Sequence, residues 1–525
     1  MKKYLSLLLA LVMVLSLAAC GAARAEEAPA ATEAPAAAAT EAPATEAEKG
    51  EPTHIRMWFH GSTVTPDASA QVMEELNKVL VEKINVVLEP IWGTWGDFDT
   101  SVTTALAGGD DVDIYFTCNW SADEYNKYAK DGYWVKLDDM LAEHAPDLVK
   151  LIPQGIWDCA KTNGYDGMGI YAVPGLKDTA TQNCWDVNVT LLEELGFELP
   201  EKLDFYSDEF EEMLQAAKDA KGNDFYPLVI EAAVLERMVN HSAIVTGDLG
   251  SGNVLSYYYD AANPSKDTGA TLVNKFATDE FKAFCERVHY FSQKGFISPS
   301  CQSVATANDY RAATQSAGEY LFGTQSYAFG CELDFSKARG IHVEMVPETA
   351  PYMDSTSGQG AMMAISATSK NPEKALEFLN LLNSDPEVMT MVNYGLEGFT
   401  YNKNDDGTIT FIDEARATYS PWTNGVGNVR ILPPTDAQGP DFWDEFAAYY
   451  DSAEKLPYGA FILDTSDMAA ETAALGNVYA KYAFNLMSGA TDPATELPKF
   501  LDELEGAGMA KFVEAAQAQL AEFTK

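Results

Sequence analysis

The sequence predicts an α/β protein built from at least two lobes. Three observations carry that reading. Strand and helix patterns alternate near the start of the folded region, and this order gives a mostly parallel sheet covered by helices. Residues 51–525 are too many for one simple hydrophobic core. The same stretch shows no repeat of solenoid length and no second long apolar run.

The chain opens with Lys2 and Lys3, an apolar run from Leu5 to Leu17, and then small residues. These are the parts of an export signal over 1–19, too short to span a bilayer as a mature helix. Leu17-Ala18-Ala19-Cys20-Gly21 resembles the bacterial lipobox, which implies cleavage before Cys20 and lipidation of that residue. Acyl chains contribute about 0.8 kcal/mol per buried methylene, so more than one chain gives a stable anchor to a membrane. Residues 20–50 then hold Ala, Glu, Pro and Thr, with TEAPA at 32–36 and again at 40–44. Nothing there offsets the entropy of ordering, and Pro29, Pro35 and Pro43 oppose a helix, so the segment reads as a disordered tether. Its coil span is about 30 Å.

The next elements follow in order. HIRMWF (54–59) reads as a strand. Thr65-Pro66-Asp67 starts a helix whose stripe is Val72, Met73, Leu76, Val79 and Leu80. INVVLEPIW (84–92) is a second strand, 97–107 a helix, and VDIYFT (112–117) a third strand. Ligands of such sheets bind on the loops beyond the carboxyl ends of the strands. Those loops are His60-Gly61-Ser62, Trp92-Gly93-Thr94-Trp95 and Cys118-Asn119-Trp120.

Charge excludes some partners. Of 79 acidic and 35 basic residues, six and four fall in 1–50, so the body carries 73 against 31. Nucleic acid, which needs clustered Lys and Arg, is excluded as a partner, and long-range steering disfavours anions. Six cysteines lie beyond Cys20 with no CxxC pair, which gives a structural zinc site no support and predicts mostly buried free thiols.

Several stretches also carry a family resemblance. ALAGGDDVDIYFT, YNKYAKDGYWVKLDDML and NGYDGMGIYAVPG resemble successive segments of the extracellular solute-binding proteins of ABC importers, the family centred on oligosaccharide binders. MMAISATSKNPEKALEFLNLLNSDPEVMTMVNYGLEGFTY resembles that family's second half. From about Val426 the chain is similar to the C-terminal extension of a lipoprotein subgroup. The resemblance implies a type II periplasmic-binding-protein-like fold, with two α/β lobes joined by interlobe crossings and a C-terminal extension. Carried over, it implies lobe 1 over 51–171 plus 331–363, lobe 2 over 172–330 plus 364–425, and an extension over 426–525. The first crossing is then GIYAVPG (169–175) and the second lies near Phe322 to Gly330, with Pro174-Gly175 and Gly323 as hinge positions. The implied function is capture of a small ligand, an oligosaccharide, without bond breaking: a lipid-anchored monomer on the extracytoplasmic face of a bacterial membrane passes it to ABC permease subunits. No cofactor is expected. A peptide- or amine-binding receptor of the same fold, or an anchored extracellular glycosidase, stays open as an alternative.

Sugar rings offer flat C–H faces to indoles and hydroxyls to planar polar groups, which selects the candidate ligand residues. These are Trp58, Asn119, Trp120, the pair Trp185-Asp186, Gln325 on the second expected crossing, and Glu397, set between two glycines. NKNDDGTITFID (402–413) has calcium-loop spacing, with Asn402, Asn404, Asp406 and Asp413 at positions 1, 3, 5 and 12. Asp-Asp-Gly before TITFI also reads as a β-hairpin turn, the favoured reading. Among catalytic patterns there is no HExxH and no GxSxG, and SAEK (452–455) lacks the companion motif of an SxxK enzyme.

Overall fold

The computed structural model describes residues 50–524 apart from 122–123, 245, 248–253, 261–262, 264, 268, 270, 355–356 and 460. The signal, Cys20 and the tether lie outside the described residues.

The alternation read from the sequence forms the first sheet. Strands Thr53–Phe59 and Val86–Trp92 run parallel, in register from Thr53 opposite Val86 to Phe59 opposite Trp92. Ile114–Thr117 joins parallel on the other side. Met362–Ile365 and Ala172–Pro174 complete the sheet, both pairings antiparallel. Helix Pro66–Ile84 forms where expected: Thr65 caps it by accepting from the Ala68 amide, and proline occupies its first turn. It buries Ala68, Val72, Met73, Leu76 and Leu80 against the sheet and ends where Asn85 turns left-handed at φ 55°. Helix Phe98–Gly108 covers the sheet through Val102 and Leu106.

Two hydrophobic cores define two lobes. The first gathers buried side chains from Ile55 to Ala180 and again from Ala361 to Tyr450. The second gathers Trp185 to Tyr352 and Leu456 to Leu520 around a sheet ordered Val343–Pro347, Asn183–Asn188, Phe322–Ser326, Leu228–Val229. The chain therefore passes between lobes three times, and the crossings lie side by side. Thr181 pairs with Tyr352, and Tyr352–Met353 pairs parallel with Glu454–Lys455.

This division corrects the expected boundaries. Residues 364–425 belong to the first lobe, because Leu376, Leu379, Val388 and Val392 pack on its core. Residues 331–352 stay with the second lobe, where Val343–Pro347 pairs with Asn183–Asn188. The expected extension is split. Phe442–Asp451 packs on the first core, whereas helices Ala469–Met487, Pro493–Gly506 and Met509–Phe523 close the second through Leu486, Phe500 and Phe512. Phe322–Ser326 is an inner strand of the second sheet, not a crossing. Gly323 is no hinge there; an added Cβ would meet the Gln315 amide at 2.8 Å.

The second lobe contains a buried ionic cluster. Asp186 is fully buried and accepts from Gln315 at 3.0 Å, the Tyr320 hydroxyl at 2.6 Å and Arg339 at 2.8 Å. Arg339 closes helix Cys331–Arg339, so the cluster fixes that helix to the sheet. Removing one partner leaves a buried charge uncompensated, at a cost of about 3–5 kcal/mol. Asp186→Ala is expected to lose that much in urea denaturation; a loss below about 1 kcal/mol would contradict the role given to the cluster.

Candidate functional site

The three strands Val86–Trp92, Thr53–Phe59 and Ile114–Thr117 are neighbours, so their exits lie side by side. His60 sits at the centre. Its ring stacks on Phe98 at 4.1 Å and meets Trp95, Trp120 and Trp422 at 4.6, 5.6 and 5.7 Å. Gly61 has φ +62°, and an added Cβ would come within 2.6 Å of the Trp95 indole, so glycine lets that ring lie on the backbone. Trp95 and Trp120 remain 60% and 49% exposed, large aromatic faces held by their neighbours but open to water.

The orientation of Trp120 is set by a segment that leads back from the second lobe. Its indole N–H donates to the Gly360 carbonyl at 2.7 Å, and the Asn119 amide donates to Gln359 at 3.1 Å. The Gln359 side chain is itself buried, donating to the Cys159 carbonyl and accepting from Asn126. The six cysteines beyond Cys20 are free thiols, five of them buried.

A cavity of about 510 Å³ opens beside this aromatic group, between the lobes. The first lobe supplies Trp95, Asp178, Arg416, Trp422 and Trp443, and the second supplies residues 328–331 and Asp334. The lobes touch along its rim. Phe329 packs on Phe442, Phe446 and Tyr449 of helix Phe442–Asp451, with ring centroids 5.6, 6.1 and 5.4 Å away, and its amide donates to the Tyr450 hydroxyl. Gly330 follows at φ +81°, where a Cβ would lie 2.6 Å from the Phe442 ring. Tyr449 donates to Gln182 on the first crossing.

The sequence candidates separate in the structure. Asn119 and Trp120 stand at the aromatic wall, with Trp120 against Trp95 and Trp422. Trp58 packs edge-on against Phe98 as part of the first core. Trp185 and Asp186 are both fully buried and face no cleft; Trp185 packs on Phe210 at 5.0 Å and donates to Glu348. Gln325 lies on the second sheet, its amide on the Ser326 carbonyl. Glu397 is surface-exposed and pairs with Lys403 at 2.9 Å. Residues 402–413 form a hairpin between Tyr401–Lys403 and Ile409–Phe411. In it Asp406 accepts from the Thr408 amide, Asn404 donates to Thr408, Asn402 is paired with Thr410, and Asp413 opens the helix Asp413–Arg416.

Sequence reasoning missed Trp422, Trp443, Arg416 and Asp334. Trp422 had a signal, since Pro421-Trp422-Thr423-Asn424-Gly425 places an aromatic among turn formers. The other three sit in helices, with nothing local to separate cleft residues from ordinary surface.

Two α/β lobes with separate cores, three adjacent crossings and an aromatic cleft between them define the fold of a two-lobed solute-binding protein. The comparisons with known proteins agree. The chain is 26% identical over 486 residues to a carbohydrate ABC transporter substrate-binding protein of Streptococcus pneumoniae serotype 4 (strain ATCC BAA-334 / TIGR4), covering 91% of this chain and 92% of that one. It superposes on the N-glycan transport solute-binding protein NgtS of Streptococcus pneumoniae with a TM-score of 0.72 at 23% identity, covering 90% of this chain and 99% of that one. An extracellular solute-binding protein of Bifidobacterium longum subsp. infantis gives a TM-score of 0.60 at 18% identity, over 92% of this chain and all of that one. Residues 457–525 match the domain of unknown function DUF3502. That match is the helical segment closing the second core, which the resemblance had read as part of a longer extension.

His60 provides a pH test of the aromatic packing. Burial lowers its pKa to about 4, against the attraction of Asp99. The unfolded chain therefore takes up the proton first, and stability falls as pH drops from about 6.5 towards 4. The shift corresponds to a loss of up to about 3 kcal/mol from this residue. His60→Phe is expected to flatten that part of the stability profile in denaturation between pH 4 and 7; an unchanged slope would show that His60 is not held neutral by its surroundings.

Proposed function

We propose that the protein captures an oligosaccharide between its two lobes and presents it to an ABC permease, without breaking a bond. The observation that carries this reading is the wall of Trp95, Trp120 and Trp422 beside the interlobe cleft, the first two about half exposed. Apolar ring faces with a few fixed polar groups suit the C–H faces and hydroxyls of sugars. The relatives support the same class: NgtS was crystallised with Man1GlcNAc and with Man5GlcNAc. Affinity arises from contacts made by both lobes at once, so ligand favours the closed arrangement.

The site of action follows from this role. An importer's binding protein works outside the cytoplasm. Among the described residues no helix is long and apolar enough to cross a membrane. Lipidation at Cys20 would hold the protein at the membrane, and the tether over 20–50 would raise its effective concentration near the permease. Trp120 and Asn119 are the ligand contacts retained from the sequence, joined by Trp95 and Trp422.

Thermal shift tests the reading directly. The protein is incubated with Man5GlcNAc, other oligosaccharides, short peptides and polyamines, and the small molecules are then analysed by chromatography. A ligand at a hundred times its dissociation constant stabilises by about 2.7 kcal/mol. The expected result is a shift with an oligosaccharide that is recovered intact, and at least tenfold weaker binding by Trp120→Ala. A shift with peptides or amines alone would replace the ligand class. Consumption of the glycan at catalytic protein levels would show an enzyme.

A further inference from the structure

Two charged side chains line the cavity, one from each lobe. Arg416, from the first lobe, donates through Nη1 to the carbonyls of Asn393 and Tyr419 at 2.8 and 3.0 Å. Its guanidinium lies over the Phe411 ring at 4.5 Å. Among the described residues no carboxylate lies within ion-pairing distance of it, and burial pushes its pKa down. It is a cation on the cleft wall that, among the described residues, has an aromatic ring and two carbonyls as partners and no counter-ion.

Asp334, from the second lobe, lies in the first turn of helix Cys331–Arg339. That helix is tied to the lobe by the Arg339–Asp186 pair. Asp334 is open to cleft water but crowded by protein, which pushes its carboxyl up, with only Lys337 opposing. The other carboxylate on the wall, Asp178, is already paired with Lys177. Arg416 therefore offers donors from one side, and Asp334 offers acceptors from the other.

We propose that Arg416 and Asp334, one from each lobe, form the polar pair that reads the ligand, and that they select uncharged, hydroxyl-bearing glycans over acidic ones. This rests on the reading of the cleft as a glycan site. A hydroxyl accepts from the guanidinium and donates to the carboxylate, so neighbouring hydroxyls on one sugar satisfy both walls. A ligand carboxylate pairs with Arg416 but stands across the same small cavity from Asp334, a repulsion that penalises the wrong ligand. The excess of acidic residues over the body works in the same direction at long range.

The test compares Man5GlcNAc with the same glycan after its primary hydroxyls are oxidised to carboxylates. Dissociation constants are measured for the full chain, Asp334→Asn and Glu75→Gln. Glu75→Gln removes one negative charge from the exposed face of helix Pro66–Ile84, away from the cleft. Wild type is expected to prefer the neutral glycan at least tenfold. Asp334→Asn is expected to reduce that preference at least fivefold while keeping its melting temperature, and Glu75→Gln to leave the preference unchanged. Equal binding of both glycans by wild type would overturn the proposal, as would a preference unaltered in Asp334→Asn or reduced equally in Glu75→Gln. Binding of neither glycan would overturn the glycan reading itself, and this inference with it.

Discussion

The separation of the two hydrophobic cores is the constraint on which the rest of the structure depends. Each lobe buries its own apolar surface. What joins them is three crossings paired edge to edge at Thr181, Tyr352–Met353 and Glu454–Lys455. Three adjacent strands bend together more readily than they slide, and such a joint suits hinge motion. Opposite the joint the lobes meet where Phe329 packs on helix Phe442–Asp451, so opening the cleft there parts that aromatic contact.

The cleft inherits its chemistry from this arrangement. The first sheet delivers His60, Trp95 and Trp120 because its strands are neighbours and their carboxyl ends face the same way. Trp120 is held by Gly360, which lies on the return from the second crossing, so the aromatic wall is tied to that crossing. The second lobe answers with one loop and one helix, the loop seated through Phe329 on helix Phe442–Asp451. The Asp186–Arg339 pair anchors helix Cys331–Arg339 and belongs to the architecture of the site without touching it.

Local patterns were legible in the sequence and long-range pairings were not. The βαβαβ start was read to within a residue or two, since Pro66 and the Val72–Leu80 stripe are local signals. The strand exits followed from it, and with them Trp120. The crossings were misplaced because the placement of Phe322–Ser326 depends on pairing with Asn183–Asn188, more than a hundred residues away. Trp185-Asp186 looked like an aromatic with a polar partner at a cleft. Its partners Gln315, Tyr320 and Arg339 come from distant segments, and they convert an apparent ligand pair into a buried anchor. Asp334 and Arg416 carry no local mark, since only the approach of the two lobes brings them to one cavity.

Capture between hinged lobes is tested most directly by small-angle X-ray scattering of the protein with and without saturating Man5GlcNAc. Closure on ligand predicts a smaller radius of gyration in the saturated sample, with the scattering change following the binding curve. Full binding with unchanged scattering would contradict capture by closure and leave a rigid cleft.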